Sequence, residues 1–195
     1  MIKKYNISQL IDLNILNKFD CGEQIVNDFI RNRACIFEDQ NLMSTTIFYD
    51  TDKKIVVGFY SISSSIVEVK SYYDVKNFNE KVSMPEENPL GASFPAIEIG
   101  WFGVSIEMQR RTIGTSMMVT LFEDIIRSRY IHNIGFSDVI VSALPGAVEF
   151  YEQFGFRYLH KDFDQFGQIE QSYPMYLDLN YLTEIYEKET GTSIY

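Results

Sequence analysis

The chain has 195 residues, enough for one sizeable core. At 46% hydrophobic and 23% charged residues it is neither a disordered chain nor a small disulfide scaffold, and with two cysteines (Cys21, Cys35) and two histidines (His132, His160) it holds too few nitrogen and sulfur ligands for an ordinary zinc centre. Seventeen Lys and Arg against 27 Asp and Glu leave a formal net charge of −10, which argues against a surface built to track a polyanion but not against a local basic patch.

The opening M-I-K-K-Y-N-I-S-Q-L-I-D-L-N-I reads as a short strand, and its Asn and Asp residues interrupt the apolar ones before a signal-peptide core could form. Later apolar runs fall far short of the ~18–20 residues that span a bilayer. The expectation is a chain without targeting or membrane segments, in a reducing cytoplasm.

In F-D-C-G-E-Q-I-V-N-D-F-I-R-N-R-A-C-I-F, Ile25, Val26, Phe29, Ile30 and Phe37 follow helical spacing, Asp20 stands where an N-cap would, and Arg31 and Arg33 fall on the wetter side. S-T-T-I-F-Y-D, the turn D-T-D-K-K and I-V-V-G-F-Y-S-I-S-S-S-I-V-E-V predict a hairpin whose long second strand bends or bulges at Gly58. The weakly patterned stretch at about 71–93 reads as an inserted surface loop. F-P-A-I-E-I-G-W-F-G-V is the next strand. The stripe Ile113, Met117, Met118, Leu121, Phe122, Ile125 and Ile126 then predicts an amphipathic helix over about 113–129. D-V-I-V-S is a central strand, A-V-E-F-Y-E-Q-F a short helix ended by Gly155, F-R-Y-L-H and S-Y-P-M-Y-L-D-L two last strands, and the residues from about 179 a short C-terminal extension. The order predicts one α/β (α+β) domain over 1–195.

The chemistry concentrates at E-I-G-W-F-G-V-S-I-E-M-Q-R-R-T-I-G-T, from Glu98 to Thr115. A strand runs into a turn with Gln109, Arg110 and Arg111, and the long helix opens at Thr112 to Gly114. Free amides at a helix start, the helix dipole and small residues suit a pyrophosphate. The same fragment also suits close helix-to-sheet packing beside solvated arginines.

The second informative segment is A-x-x-F-Y-x-x-F-G-F after the strand D-V-I-V-S. With it, the chain resembles the GNAT superfamily of acetyl-CoA-dependent N-acetyltransferases, whose pyrophosphate motif Q/R-x-x-G-x-G/A is met by Gln109 to Gly114 with Thr112 where glycine is usual. The opening F-D-C-G-E-Q-I-V-N-D-F-I, V-V-G-F-Y-S-I-S and I-G-W-F-G-V look like the subgroup of GNAT toxins that acetylate aminoacyl-tRNA. There the strand reads roughly L-G-R-L-A-V, so Trp101 stands for an arginine and Gly103 for an alanine.

The resemblance implies a mixed, mostly antiparallel central sheet with helices on both faces. It implies that Phe102, Gly103 and Val104 pair through their backbone with pantetheine, and that the amides of Gln109, Arg110, Arg111, Thr112, Ile113, Gly114 and Thr115 hold the pyrophosphate of acetyl-CoA. Tyr151, singled out from 13 tyrosines by its place before F-G-F, would protonate the departing thiolate. Glu98 stands four residues before Phe102, where many GNAT enzymes carry a general base; an ion-paired or wet-edge glutamate is the other reading of it. No metal is implied. The expected activity is direct acetyl transfer to a primary amine of a small cation or a protein, with a toxin acetylating aminoacyl-tRNA as the alternative and a non-catalytic acetyl-CoA-binding domain as the next. Partners are acetyl-CoA and the amine acceptor, with a second copy of the chain or an antitoxin protein beside them, no membrane, and no nucleic acid except tRNA under the alternative.

Overall fold

The run from Ile55 to Glu68, rich in β-branched and aromatic residues, forms the longest strand of a computed structural model that describes residues 1–68, 93–159 and 171–191. The expected loop at 71–93, up to Ser93, and His160 lie outside the described residues. Two compact units are distinguished: Met1–Ser63 with Ile99–Arg127, and Ser64–Glu98 with Ser128–Tyr195. The long strand and the one after the loop each contribute to both.

In the first unit, β1 (Ile2–Asn6), β2 (Ser44–Asp50), β3 (Ile55–Glu68) and β4 (Ser93–Val104) are hydrogen-bonded in that order. The β1–β2 and β2–β3 pairs are antiparallel, and Phe48 faces Gly58 while Tyr49 faces Val56. Val57 is therefore the extra residue of a bulge beside Gly58, as the sequence suggests. From Val56 to Ser61 every residue of β3 is buried, so both faces of the sheet are covered here.

Two glycines set how closely. A Cβ on Gly58 would lie 2.5 Å from Met117 Sδ and 2.7 Å from the Gly103 carbonyl oxygen. This is where α3 (Ile113–Tyr130) settles on the sheet with Met117, Met118, Leu121, Phe122, Ile125 and Ile126 buried. Tyr60, two residues on, points to the same face and donates its hydroxyl proton to Asp124 of that helix, whose carboxylate also takes Lys4 Nζ at 2.6 Å. On the other face, a Cβ on Gly103 would meet Phe59 at 2.9 Å, Val26 at 3.1 Å and Phe19 at 3.3 Å.

The first predicted helix is present but interrupted. Gln24–Asp28 (α1) and Ala34–Asp39 (α2) are joined by a π turn, Phe29–Arg33, in which the Ala34 amide reaches back to the Phe29 carbonyl. Val26, Phe29 and Ile30 are buried as expected, whereas Ile25 is 53% exposed. Asp20 does not cap this helix. Its carboxylate closes the preceding loop by accepting from the Gly22 amide at 2.9 Å and Asn27 Nδ2 at 2.8 Å, and these two bonds hold its pKa down.

In the second unit, the remaining parts of β3 and β4 are followed by β5 (Asp138–Ala143), β7 (Tyr173–Asp178) and β6 (Arg157–Tyr158) in hydrogen-bonded order. β5 and β7 run antiparallel, Asp138 opposite Asp178 and Ala143 opposite Tyr173. Val67, Phe94 and Ala96 form a core cluster with Ile140 and Leu159 against it. The helix α4 (Val148–Glu152) ends toward Gly155, whose φ of 86° and contact with the Tyr181 ring leave no room for a side chain. Asp178 caps α5 (Leu179–Thr190) through the amides of Asn180 and Tyr181, and Gly191 closes it with φ 64°. Among the described residues no helix is long and apolar enough to cross a membrane.

The contacts at Gly58 make a prediction. Gly58→Ala should lower folding stability by about 1–3 kcal/mol, because a backbone carbonyl cannot yield as a flexible side chain can. Gly146→Ala, where nothing lies within 4 Å, should stay within about 0.5 kcal/mol of wild type. Denaturant titration of both variants tests this, and equal losses would refute it.

Candidate active site

After β4 the chain makes a 3-10 turn (Ile106–Met108) and reaches Gln109, whose side-chain amide donates to the carbonyls of Cys21 at 2.8 Å and Val104 at 3.0 Å. The Ile106 amide donates to Asp20 O at 2.9 Å, and the Ser105 amide to Val57 O at 2.8 Å. The turn is thus pinned to the strand behind it and to the loop that leads into α1.

From this anchor the backbone alternates. Arg110 has φ 57° and Thr112 φ 60°, with Arg111 between them at negative φ. Alternating handedness turns successive amides to one side and makes a concave anion cradle. Arg110, Arg111, Thr112 and Thr115 are exposed. The first helical bond of α3 runs from the Ser116 amide to Thr112 O at 3.0 Å, so the amides of Ile113, Gly114 and Thr115 precede it and have no acceptor among the described residues. They stand at the positive end of an 18-residue helix. Thr112, in the place where the motif has glycine, adopts glycine's conformation and bonds its hydroxyl to Arg111 O at 2.6 Å.

On β4, Phe102 and Val104 are partly exposed, while Gly103 is buried. The small size of Gly103 serves the packing of Phe59, Val26 and Phe19, a role that the sequence does not reveal. Glu98 is also partly exposed and not enclosed in apolar surroundings. The buried residues of β4 change from Phe94 and Ala96 to Ile99 and Gly103, so a single alternation does not run the length of the strand.

Tyr151 on α4 is 5% exposed, its ring edge-on to Phe150 and Phe156 at 5.5 and 5.4 Å. Burial pushes its phenol pKa well up, so the hydroxyl stays protonated. Among the described residues no hydrogen bond of this hydroxyl is present, and the hydroxyl oxygen is not among the enclosed unpaired polar atoms, so it is not sealed inside the core. Phe102–Val104 and Gln109–Thr115 belong to the first unit, Glu98 and Tyr151 to the second.

Elsewhere, Cys21 is buried and its thiol pKa is raised by that burial, which disfavours the reactive thiolate. Cys35 is partly exposed, and His132 lies at the surface. A group that sequence reasoning missed sits beside α1. Trp101 of β4 stacks on Phe29 at 4.4 Å and 9°, with the Arg33 guanidinium 5.4 Å from the indole centroid. The tryptophan in place of an arginine was its one signal.

The chain is similar in structure to a bacterial toxin (TM-score 0.76, 18% identity, 96% of each chain covered). It is similar to a tyrosine-to-phenylalanine variant of the AtaT toxin bound to the C-terminus of the antitoxin AtaR and acetyl-CoA (0.71, 16%, 95% of this chain and 98% of that one). It is likewise similar to AtaT complexed with acetyl-methionyl-tRNAfMet (0.70, 16%, 95% and 99%). At these identities the likeness establishes the fold, and that fold is the mixed, mostly antiparallel GNAT-like one. No family model matches the sequence, and no curated protein matches it.

The strain at position 112 can be measured. A β-branched residue in the left-handed region costs about 1–2 kcal/mol, so Thr112→Gly should raise folding stability by up to about 1 kcal/mol after glycine's entropy is counted. Thermal melting decides, and a lower midpoint would mean that the hydroxyl bond to Arg111 outweighs the strain.

Proposed function

We propose that the chain is an acetyl-CoA-dependent N-acetyltransferase whose acceptor is the amino group of an aminoacyl-tRNA. The observation that carries this reading is the likeness, over nearly the whole chain, to AtaT complexed with acetyl-methionyl-tRNAfMet. The cradle at Arg110 to Thr115 supports the donor half. Its amides are aimed by positive φ at Arg110 and Thr112, so they suit the pyrophosphate of acetyl-CoA without requiring a basic surface. Arg110 and Arg111 add two charges beside it. The backbone of Phe102 to Val104 would take the pantetheine arm as an added strand.

In the reaction, the acceptor nitrogen forms a bond to the thioester carbonyl carbon as the carbon–sulfur bond breaks. The sulfur leaves as thiolate and takes a proton from the Tyr151 hydroxyl, which burial keeps protonated, and the acceptor nitrogen gives its second proton to Tyr151 as it becomes an amide, restoring the phenol. The acceptor ammonium must lose a proton before attack, and the partly exposed Glu98 would accept it directly or through water. Products are the acetylated amine, coenzyme A and one released proton. A protein partner in the manner of an antitoxin belongs to the same reading, since AtaT was solved with the C-terminus of AtaR.

A small cationic amine or a protein amine is the second reading, favoured by the net charge of −10. Radiolabelled acetyl-CoA offered with aminoacyl-tRNA and with an amine panel separates the two: label on the tRNA fraction is expected, and label on small amines alone would reassign the acceptor. Tyr151→Phe should lower kcat by about 100-fold while acetyl-CoA still binds, and an unchanged kcat would remove Tyr151 from the mechanism. Because its pKa is raised, the wild-type rate should show no loss from Tyr151 ionisation up to about pH 10.

A further inference from the structure

Two arginines stand in the π turn of the first helix, and the fold uses one of them. Arg31 is turned inward, with Nε at 3.0 Å and Nη2 both donating to the Phe19 carbonyl. Arg33 is held only loosely. Its Nε is buried and faces Asp28 Oδ2 at 3.3 Å without the alignment of a hydrogen bond, its side chain as a whole is 41% exposed, and the ion pair to Asp28 and the ring contacts to Phe29 and Trp101 are what hold it among the described residues. A guanidinium with spare donors in a chain of net charge −10 selects for an anionic partner.

Trp101 lies beside it. Phe29 covers one face of the indole, and Arg33 Cζ stands 5.4 Å from the Trp101 centroid and 5.8 Å from that of Phe29. Being almost equally distant from two rings that stack on each other, the guanidinium stands at the border of the stack. Trp101 is partly exposed, and among the described residues Phe29 is the one ring stacked on it. A flat aromatic surface with a charged fork at its rim matches an unpaired nucleotide: the base stacks and the phosphate accepts from the fork. A duplex would offer phosphate but no free base face, and an aliphatic amine would use neither feature.

We infer that Trp101 and Arg33 form a subsite for an unpaired nucleotide at the acceptor end of aminoacyl-tRNA, the base stacking on the indole and its phosphate meeting the Arg33 guanidinium. This rests on the aminoacyl-tRNA reading and extends it from reaction to recognition. π turns recur at functional sites, and here one interrupts the helix at the residue that carries the loosely held cation.

Trp101 is the one tryptophan of the chain, so its fluorescence reports on this site alone. Titration with an ACCA oligoribonucleotide should quench wild-type emission to saturation. Arg33→Gln should weaken that binding about tenfold and flatten its salt dependence, and should raise KM for aminoacyl-tRNA by a similar factor without raising KM for acetyl-CoA. Circular dichroism checks that the variant is folded, and Trp101→Phe, which keeps a ring against Phe29, should give the same KM pattern if it is not. Absent quenching, or an unchanged KM for aminoacyl-tRNA in both variants, overturns the subsite; if the wild type still acetylates aminoacyl-tRNA, the functional reading stands without it. Transfer to small amines with none to tRNA overturns both.

Discussion

Two missing side chains decide how closely the first unit can pack. At Gly58 the sheet is thin enough for Met117 to bring α3 down on one face, and at Gly103 it is thin enough for Phe19, Val26 and Phe59 to close over the other. Close packing of this kind leaves no slack, since interiors are as dense as organic crystals. The end of β4 is thereby fixed from both sides. Ser105, Ile106 and Gln109 follow directly from that fixed end, and their bonds to Val57, Asp20 and Cys21 hand its position on to the turn. An anion cradle made of backbone amides is only as well aimed as the strand that feeds it.

Such a cradle is also compatible with an acidic protein. Backbone amides carry no net charge, so the chain can hold −10 overall and still present converging donors at Ile113, Gly114 and Thr115. The charge then constrains how a large polyanion could be met: through a few placed cations and a stacking surface, not a broad basic face. Arg110 and Arg111 are exposed beside the turn, and Arg33 is partly exposed beside Trp101. Arg31, equally conspicuous in the sequence, is taken up by the Phe19 carbonyl.

Much of this was legible in the sequence. The stripe from Ile113 to Ile126 gives α3 because its apolar spacing fits the period of a helix and not the alternation of a strand, and Gly58 inside a β-branched run marks the bulge that the register confirms. Q-R-R-T-I-G locates the turn, although only the structure reveals that Thr112 takes up the glycine conformation itself. What escaped depends on contacts between distant segments. Helical spacing counts 3.6 residues per turn and passes over the π turn, and it also places Ile25, at the edge of the stripe beside the buried Val26, in the core when it is exposed. Asp20 has the residue type and place of a cap, but Gly22 and Asn27 claim its carboxylate first. At Gly103 the space that a side chain would take is used by Phe19, Phe59 and Val26, which local pattern does not show. The pairing of Arg33 with Trp101 spans too much of the chain for local pattern to reveal.

The bonds from Gln109 to Cys21 and from Ile106 to Asp20 have a further consequence. The cradle and the loop leading into α1 come from opposite ends of the first unit's sequence, yet neither can open without breaking the other's hydrogen bonds. Two segments tied in this way are expected to open together in local unfolding. Whatever anion settles in the cradle therefore also steadies the path of the chain into α1, and by thermodynamic reciprocity whatever steadies α1 tightens the hold on the anion. An anion held at the turn and a contact that orders α1 would share a single conformational equilibrium rather than two.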